Sequence, residues 1–138
     1  MSARDLFHGS VRRALEKDRW RISHDPLELA WEEVKIKIDL AAERLLAAER
    51  DTRKIAVEVK SFAGPSPISE FHTALGQFLN YRLMLEVKEP ERQLYLAVPV
   101  DTYGSFFQSR LAQSMVERYQ LNLLVYDPML EEVVTWIS

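Results

Sequence analysis

KIAVEVKSF, residues 54–62, alternates with the period of an extended chain: Ile55, Val57 and Val59 point one way, and Ala56, Glu58 and Lys60 the other. A β-strand is expected here, with Glu58 and Lys60 on the same side of the sheet. The stretch that follows, Gly64-Pro65-Ser66-Pro67, breaks the strand and opens a helix, with Ser66 as N-cap before Pro67. That helix is expected to run to about Val87, its apolar face built from Phe71, Leu75, Phe78, Leu79, Leu83 and Met84.

Upstream, Val34 to Leu40 alternates in the same way. Val34, Ile36, Ile38 and Leu40 share one face, and Lys35, Lys37 and Asp39 share the other. The intervening Ala41 to Arg50 is rich in Ala, Leu and Glu; propensity favours a short helix, while a strand would close a hairpin. Toward the N-terminus, Phe7, Val11, Ala14 and Leu15 recur at helical spacing between Arg4 and Asp18, leaving Asp5, His8 and Arg12 on another stripe. Trp20 to Ser23 reads as a short strand before an Asp25-Pro26 turn. Toward the C-terminus the expectation is a strand over 93–98, a helix over 103–119, a strand over 121–126 and a last strand over 132–137. Strands interleaved with helices in this order predict an α/β (α+β) domain over residues 1–138, with a mixed central sheet flanked by helices.

If the strands carrying Asp39 and Glu58 pair, the two carboxylates meet, because opposed Cβ atoms lie about 5 Å apart. Paired carboxylates repel each other and favour a cation. Oxygen-only ligands suit Mg²⁺ (or Mn²⁺), which retains waters and accepts a substrate phosphate as a further ligand. An ammonium beside it, here Lys60, can orient water and stabilise developing charge. The competing reading is that Asp, Glu and Lys on a strand's outer face are solvated surface with a weak ion pair.

Bulk properties narrow the choice. At 138 residues, 47% hydrophobic and 28% charged, the chain has the make-up of one ordinary globular core. No apolar run approaches the roughly 20 residues that span a bilayer. The first residues mix charge among apolar positions, unlike a signal peptide. Cysteine is absent, which removes thiolate chemistry and disulfides and fits a reducing cytoplasm. The net charge of −3 argues against a broad basic surface for DNA, so DNA binding would need a local patch, a cation, a second subunit or a partner. Trp20, Trp31 and Trp136 are expected in the core or at an interface. His24 and His72 lack metal-ligand spacing to another histidine.

Asp39, then Ile55-Ala56-Val57-Glu58-Val59-Lys60, then Gln77-Phe78-Leu79-Asn80-Tyr81 on the next helix, resembles the PD-(D/E)xK nuclease superfamily and the Q-x-x-x-Y element of its RecB-like members. The resemblance implies a restriction-endonuclease-like fold, with Asp39 and Glu58 binding Mg²⁺, Lys60 assisting a nucleophilic water, and Gln77 and Tyr81 bordering the site. Many of those nucleases also carry a first-helix glutamate facing the site; here the candidates on that helix are His8 and, on a neighbouring stripe, Glu16. His8 could contact a phosphate or a water of the cation, or serve as a buried hydrogen-bonding group.

A narrower resemblance covers nearly the whole chain. Ala3-Arg4-Asp5-Leu6-Phe7-His8, Ile22-Ser23-His24-Asp25-Pro26-Leu27, residues 54–62, Ala74-Leu75-Gly76-Gln77, and Val125-Tyr126-Asp127-Pro128 through Trp136-Ile137 are similar to the XisH family. Its members are called excision-controlling factors of the fdxN element, a DNA insertion removed during cyanobacterial differentiation. This implies DNA as a partner, together with a recombinase and a small companion protein. Two functions follow as expectations: a Mg²⁺-dependent DNA phosphodiesterase, or a non-catalytic regulatory subunit keeping the nuclease-like scaffold. A homo-oligomer remains open.

Overall fold

The computed structural model describes residues 5–45 and 52–138. In chain order these form α1 (His8–Lys17), β1 (Arg21–His24), β2 (Leu27–Trp31), β3 (Val34–Ile38), β4 (Leu40–Leu45), β5 (Thr52–Val59) and α2 (Pro67–Lys88). There follow β6 (Arg92–Pro99), a short α3 (Val100–Tyr103), a 3-10 turn (Phe106–Gln108), α4 (Arg110–Arg118), β7 (Leu123–Asp127) and β8 (Glu132–Ile137). The architecture is mixed α+β, as expected. Six strands form one sheet in the order β1-β4-β5-β6-β7-β8, and β2 and β3 form a separate two-stranded ribbon. The pairs β5–β6 and β6–β7 are parallel; β1–β4, β4–β5 and β7–β8 are antiparallel.

Parallel strands joined by helical crossovers are covered on both faces, which is why the middle strands are apolar throughout. Ile55, Val57 and Val59 of β5, Tyr95 and Ala97 of β6, and Leu124 and Tyr126 of β7 pack with Val11 and Leu15 of α1. Their neighbours Ala56, Leu94, Leu96, Val98, Leu123 and Val125 face the other way, toward Phe71, Ala74, Phe78, Met84 and Leu85 of α2. Glu58 belongs to that second face and is only 5% exposed. Ser66 caps α2 as expected, its Oγ accepting from Ser69 N at 3.3 Å. Leu83 departs from the expected apolar face and is exposed, while Leu85 is buried in its place. The longest helix is α2, and no helix among the described residues is long and apolar enough to cross a membrane.

Three expectations need correction. The segment from Val34 to Leu40 is not one strand: residues 34–38 pair with β2, and the chain then changes sheets so that residue 40 starts β4 beside β5. Ala41 onward is the hairpin strand β4 rather than a helix, because Ala41 and Ala42 are needed as small, fully buried residues in the sheet; residues 46–51 lie outside the described residues. The expected helix over 103–119 is interrupted. Ser105 turns the chain after α3, donating from Oγ to Asp101 O, and Ser109 restarts it as the N-cap of α4. The interruption swings Phe106 and Phe107 against Phe62 and Phe71, with ring centroids 5.4 to 6.5 Å apart. The strand β2 carried no alternation distinct enough to be expected at all.

Phe107 is fully buried at the centre of that aromatic group. Phe107→Ala is expected to lower unfolding stability in urea by about 3–5 kcal/mol, as for other large-to-small core changes.

Candidate active site

Asp39 sits at the break between β3 and β4. Across from it, the register Leu40↔Val57 carried one step further meets Glu58. Side chains replace the ladder at this point. Asp39 N donates to Glu58 Oε1 at 3.2 Å, and Val59 N donates to Asp39 Oδ2 at 2.8 Å. The two carboxyl groups are thereby locked together at the end of β5, and Lys60 Nζ lies 3.8 Å from Glu58 Oε2. Lys60 is held through its own backbone: its N–H donates to Ala97 O at 3.0 Å, and its carbonyl accepts from the buried Tyr126 hydroxyl at 2.9 Å. Asp5 ties the start of α1 to the same corner, its carboxylate accepting from Phe7 N and Ser61 N.

Burial raises the Glu58 carboxyl to about 8, the neighbouring Asp39 charge adding to the rise and Lys60 opposing it. Tyr81 is raised as well, first by burial and then by the charges of Glu58 and Asp39. A pocket opens beside the pair, lined by His8, Asp25, Pro26, Lys37, Asp39, Glu58, Gln77 and Tyr81. The structure thus gathers His8, Asp39, Glu58, Gln77 and Tyr81 around one opening. Lys60 meets Glu58 from the side without lining it. Lys37 joins from the ribbon, whereas Lys35 does not line it.

His8 is 4% exposed. Its Nε2 is 2.8 Å from Asp25 Oδ1, and Arg12 Nη1 donates to Asp25 Oδ2 at 2.6 Å. The other ring nitrogen, Nδ1, is buried without a hydrogen-bond partner. Gln77 Oε1 is likewise a buried acceptor with no partner. In the sequence Asp25 shows only as half of an Asp-Pro turn. Its role as the group joining His8 to Arg12 has no signature in spacing, since the bond spans 17 residues. Glu16 stays on the exposed side of α1, 4.0 Å from Arg12, and takes no part.

The donor set bears on whether a divalent cation fits. Among the described residues, no three His, Cys, Asp or Glu side chains cluster closely enough to hold a metal between them. Mg²⁺ does not require three: one or two carboxylates, waters and substrate phosphate suffice. A buried carboxylate crowded by a second one is the chemistry such a cation neutralises. Asp39 and Glu58 are the oxygen donors that such a cation would meet here, with waters and phosphate completing its shell.

A family model described as XisH protein matches residues 1–134. Among solved structures the chain is similar to an XisH family protein from Nostoc punctiforme, at 50% identity and a TM-score of 0.87, over 97% of this chain and 100% of that one. It is also similar to an fdxN element excision controlling factor protein from Anabaena variabilis, at 49% identity and a TM-score of 0.88, over 98% of this chain and 100% of that one. No curated protein matches. With the family model spanning almost every residue and half the positions shared with two proteins of the same fold, the chain belongs to the XisH family.

Proposed function

We propose that this protein is a Mg²⁺- or Mn²⁺-dependent DNA phosphodiesterase of the PD-(D/E)xK kind, acting in excision of a DNA element. The observation that carries this reading is the interlock of Asp39 with Glu58 at the end of β5, with Lys60 beside it. A sheet does not gain from a buried Glu58 crowded by the half-buried Asp39 in the absence of a ligand, because desolvation and like charge both oppose it. Asp39 and Glu58 would hold the cation, which when bound neutralises the phosphoryl oxygens and makes water a better nucleophile. Lys60 places a positive charge next to Glu58, where it can steer an attacking water and offset charge developing on the phosphate. Gln77 and Tyr81 border the opening from α2 and can donate to non-bridging oxygens, and Lys37 brings a second ammonium from β3. His8, oriented by Asp25, lines the same opening from α1.

The excision role rests on membership of a family whose Anabaena variabilis relative is called an fdxN element excision controlling factor. A recombinase and a small companion protein are the partners that role calls for. A second reading, a non-catalytic subunit keeping this scaffold, is favoured by the net charge of −3, which gives the isolated chain little general attraction for phosphate.

Nicking of DNA is expected to need Mg²⁺ or Mn²⁺ and to fall by roughly 10²-fold or more in Glu58→Gln and in Lys60→Ala, with circular dichroism unchanged. Calorimetric titration with Mn²⁺ should show binding by the wild type and none by Asp39→Asn. Full excision with either substitution in place would instead establish the regulatory reading, and cleavage in EDTA would contradict both.

The raised Glu58 carboxyl also sets a pH dependence for the metal-free protein. Between the ordinary value of 4.5 and about 8, the folded chain holds a proton that the unfolded chain releases. This contribution to stability is therefore complete below the lower value and is lost as pH rises through the upper one. Melting temperature in EDTA is expected to drop between pH 5 and 8, and Glu58→Gln should flatten that slope.

A further inference from the structure

Beside the carboxylate pocket lies a larger cavity of about 540 Å³, between the turn of the β2–β3 ribbon and α2. Its size is that of a small-molecule site, typically ~300–1,000 Å³. Its walls are apolar and aromatic: Trp31, Val34 and Ile36 from the ribbon, and Tyr81, Leu83 and Met84 from α2. Trp31, Val34 and Leu83 are 41%, 52% and 52% exposed, so a flat apolar ligand would cover surface that the fold leaves in water. The two openings are neighbours, since Gln77 and Tyr81 line both.

We infer that this cavity takes one unpaired nucleobase adjacent to the phosphodiester held at Asp39 and Glu58, an inference that rests on the phosphodiesterase reading of that site. A base has an apolar face for an indole or phenol ring and a polar edge, and every base stacks, so stacking by itself asks for no particular sequence. The polar groups here are mostly acceptors. Gln77 Oε1 is buried and unpartnered, and Glu32 and Glu33 stand at the ribbon turn. Acceptors of this kind suit the exocyclic amines of adenine, cytosine and guanine and leave thymine with its ring N–H alone. The same acidic residues repel a phosphate, which places the backbone on the Lys37 side and the base inside. A base paired within a duplex cannot reach such a recess without leaving the stack. The substrate is then DNA with an unpaired nucleotide, either a single strand or a distorted duplex.

Binding in EDTA isolates this step from cleavage. A 2-aminopurine is placed in three otherwise identical oligonucleotides: a single strand, a duplex in which it sits in a one-base bulge, and a fully paired duplex. Quenching of its emission is expected on adding wild-type protein to the single strand or the bulged duplex, with affinities roughly tenfold above that of the paired duplex. Quenching of the single strand alone assigns the source as single-stranded DNA; quenching of both extends it to distorted duplexes. Trp31→Ala and Leu83→Glu, two exposed positions where folding should survive, are each expected to remove the quenching and the tenfold preference. Equal affinity for all three oligonucleotides, or a preference untouched by either substitution, would overturn the inference. Loss of a purified protein partner's binding in Trp31→Ala with DNA binding intact would do so as well, marking the cavity as a protein contact. Quenching without any nicking in Mg²⁺ would leave the base pocket standing and remove the phosphodiesterase reading; nicking without quenching would do the reverse.

Discussion

Two hydrogen bonds across a broken strand organise the molecule's functional corner. Asp39 gives its N–H to Glu58, and Val59 gives its N–H to Asp39, so each carboxyl group is fixed by the strand of the other. The same exchange ends the β3 ribbon and starts β4, because a side-chain oxygen, rather than a backbone carbonyl, satisfies the Val59 donor. Residues 34–38 pair with β2 instead of the main sheet, and the ribbon they form walls the neighbouring cavity. The bond at the site and the departure of the ribbon meet at Asp39.

The rest of the fold makes that corner rigid. The strands β5, β6 and β7 are buried on both faces, so β5 cannot slide without turning Ile55, Val57 and Val59 out of the α1 side and Ala56 and Glu58 out of the α2 side. Lys60, just beyond the strand, is pinned through Ala97 O and the Tyr126 hydroxyl. Asp5 fastens the start of α1 to Ser61, which brings His8 to the rim of the pocket. On the opposite face α2 delivers Gln77 and Tyr81, one turn apart, to the same opening.

Such an arrangement stores an electrostatic cost. Glu58 is buried beside the Asp39 carboxylate, so ionising it is costly with a single ammonium 3.8 Å away, and two further buried polar atoms nearby, His8 Nδ1 and Gln77 Oε1, lack hydrogen-bond partners. These are the properties of a surface shaped for something positively charged and for groups that donate hydrogen bonds. In the function proposed above, a cation would answer the first and a nucleic acid's base edges or waters the second.

Much of this was legible in the chain. Alternation marked β5 and its two faces, although the strand runs Thr52–Val59 and stops short of the expected Phe62, whose backbone is left-handed; the Gly-Pro-Ser-Pro break placed the start of α2, and E-x-K spacing put Glu58 and Lys60 side by side, because strand and helix periods act over a few residues. Family membership was equally legible, since it depends on residue identities along the whole length. What the chain alone could not show was decided by long-range competition. Alternation from Val34 to Leu40 has the same look whether it serves one sheet or two, and the choice was made by Asp39 finding Val59 N, 20 residues away. The propensity of Ala41 and Ala42 for helix yielded to their small size, which suits a fully buried strand between β1 and β5. The meeting of His8 with Asp25, the exposure of Leu83 and the cavity under Trp31 likewise came from tertiary packing, for a local pattern specifies which way a side chain points but not what it will find there.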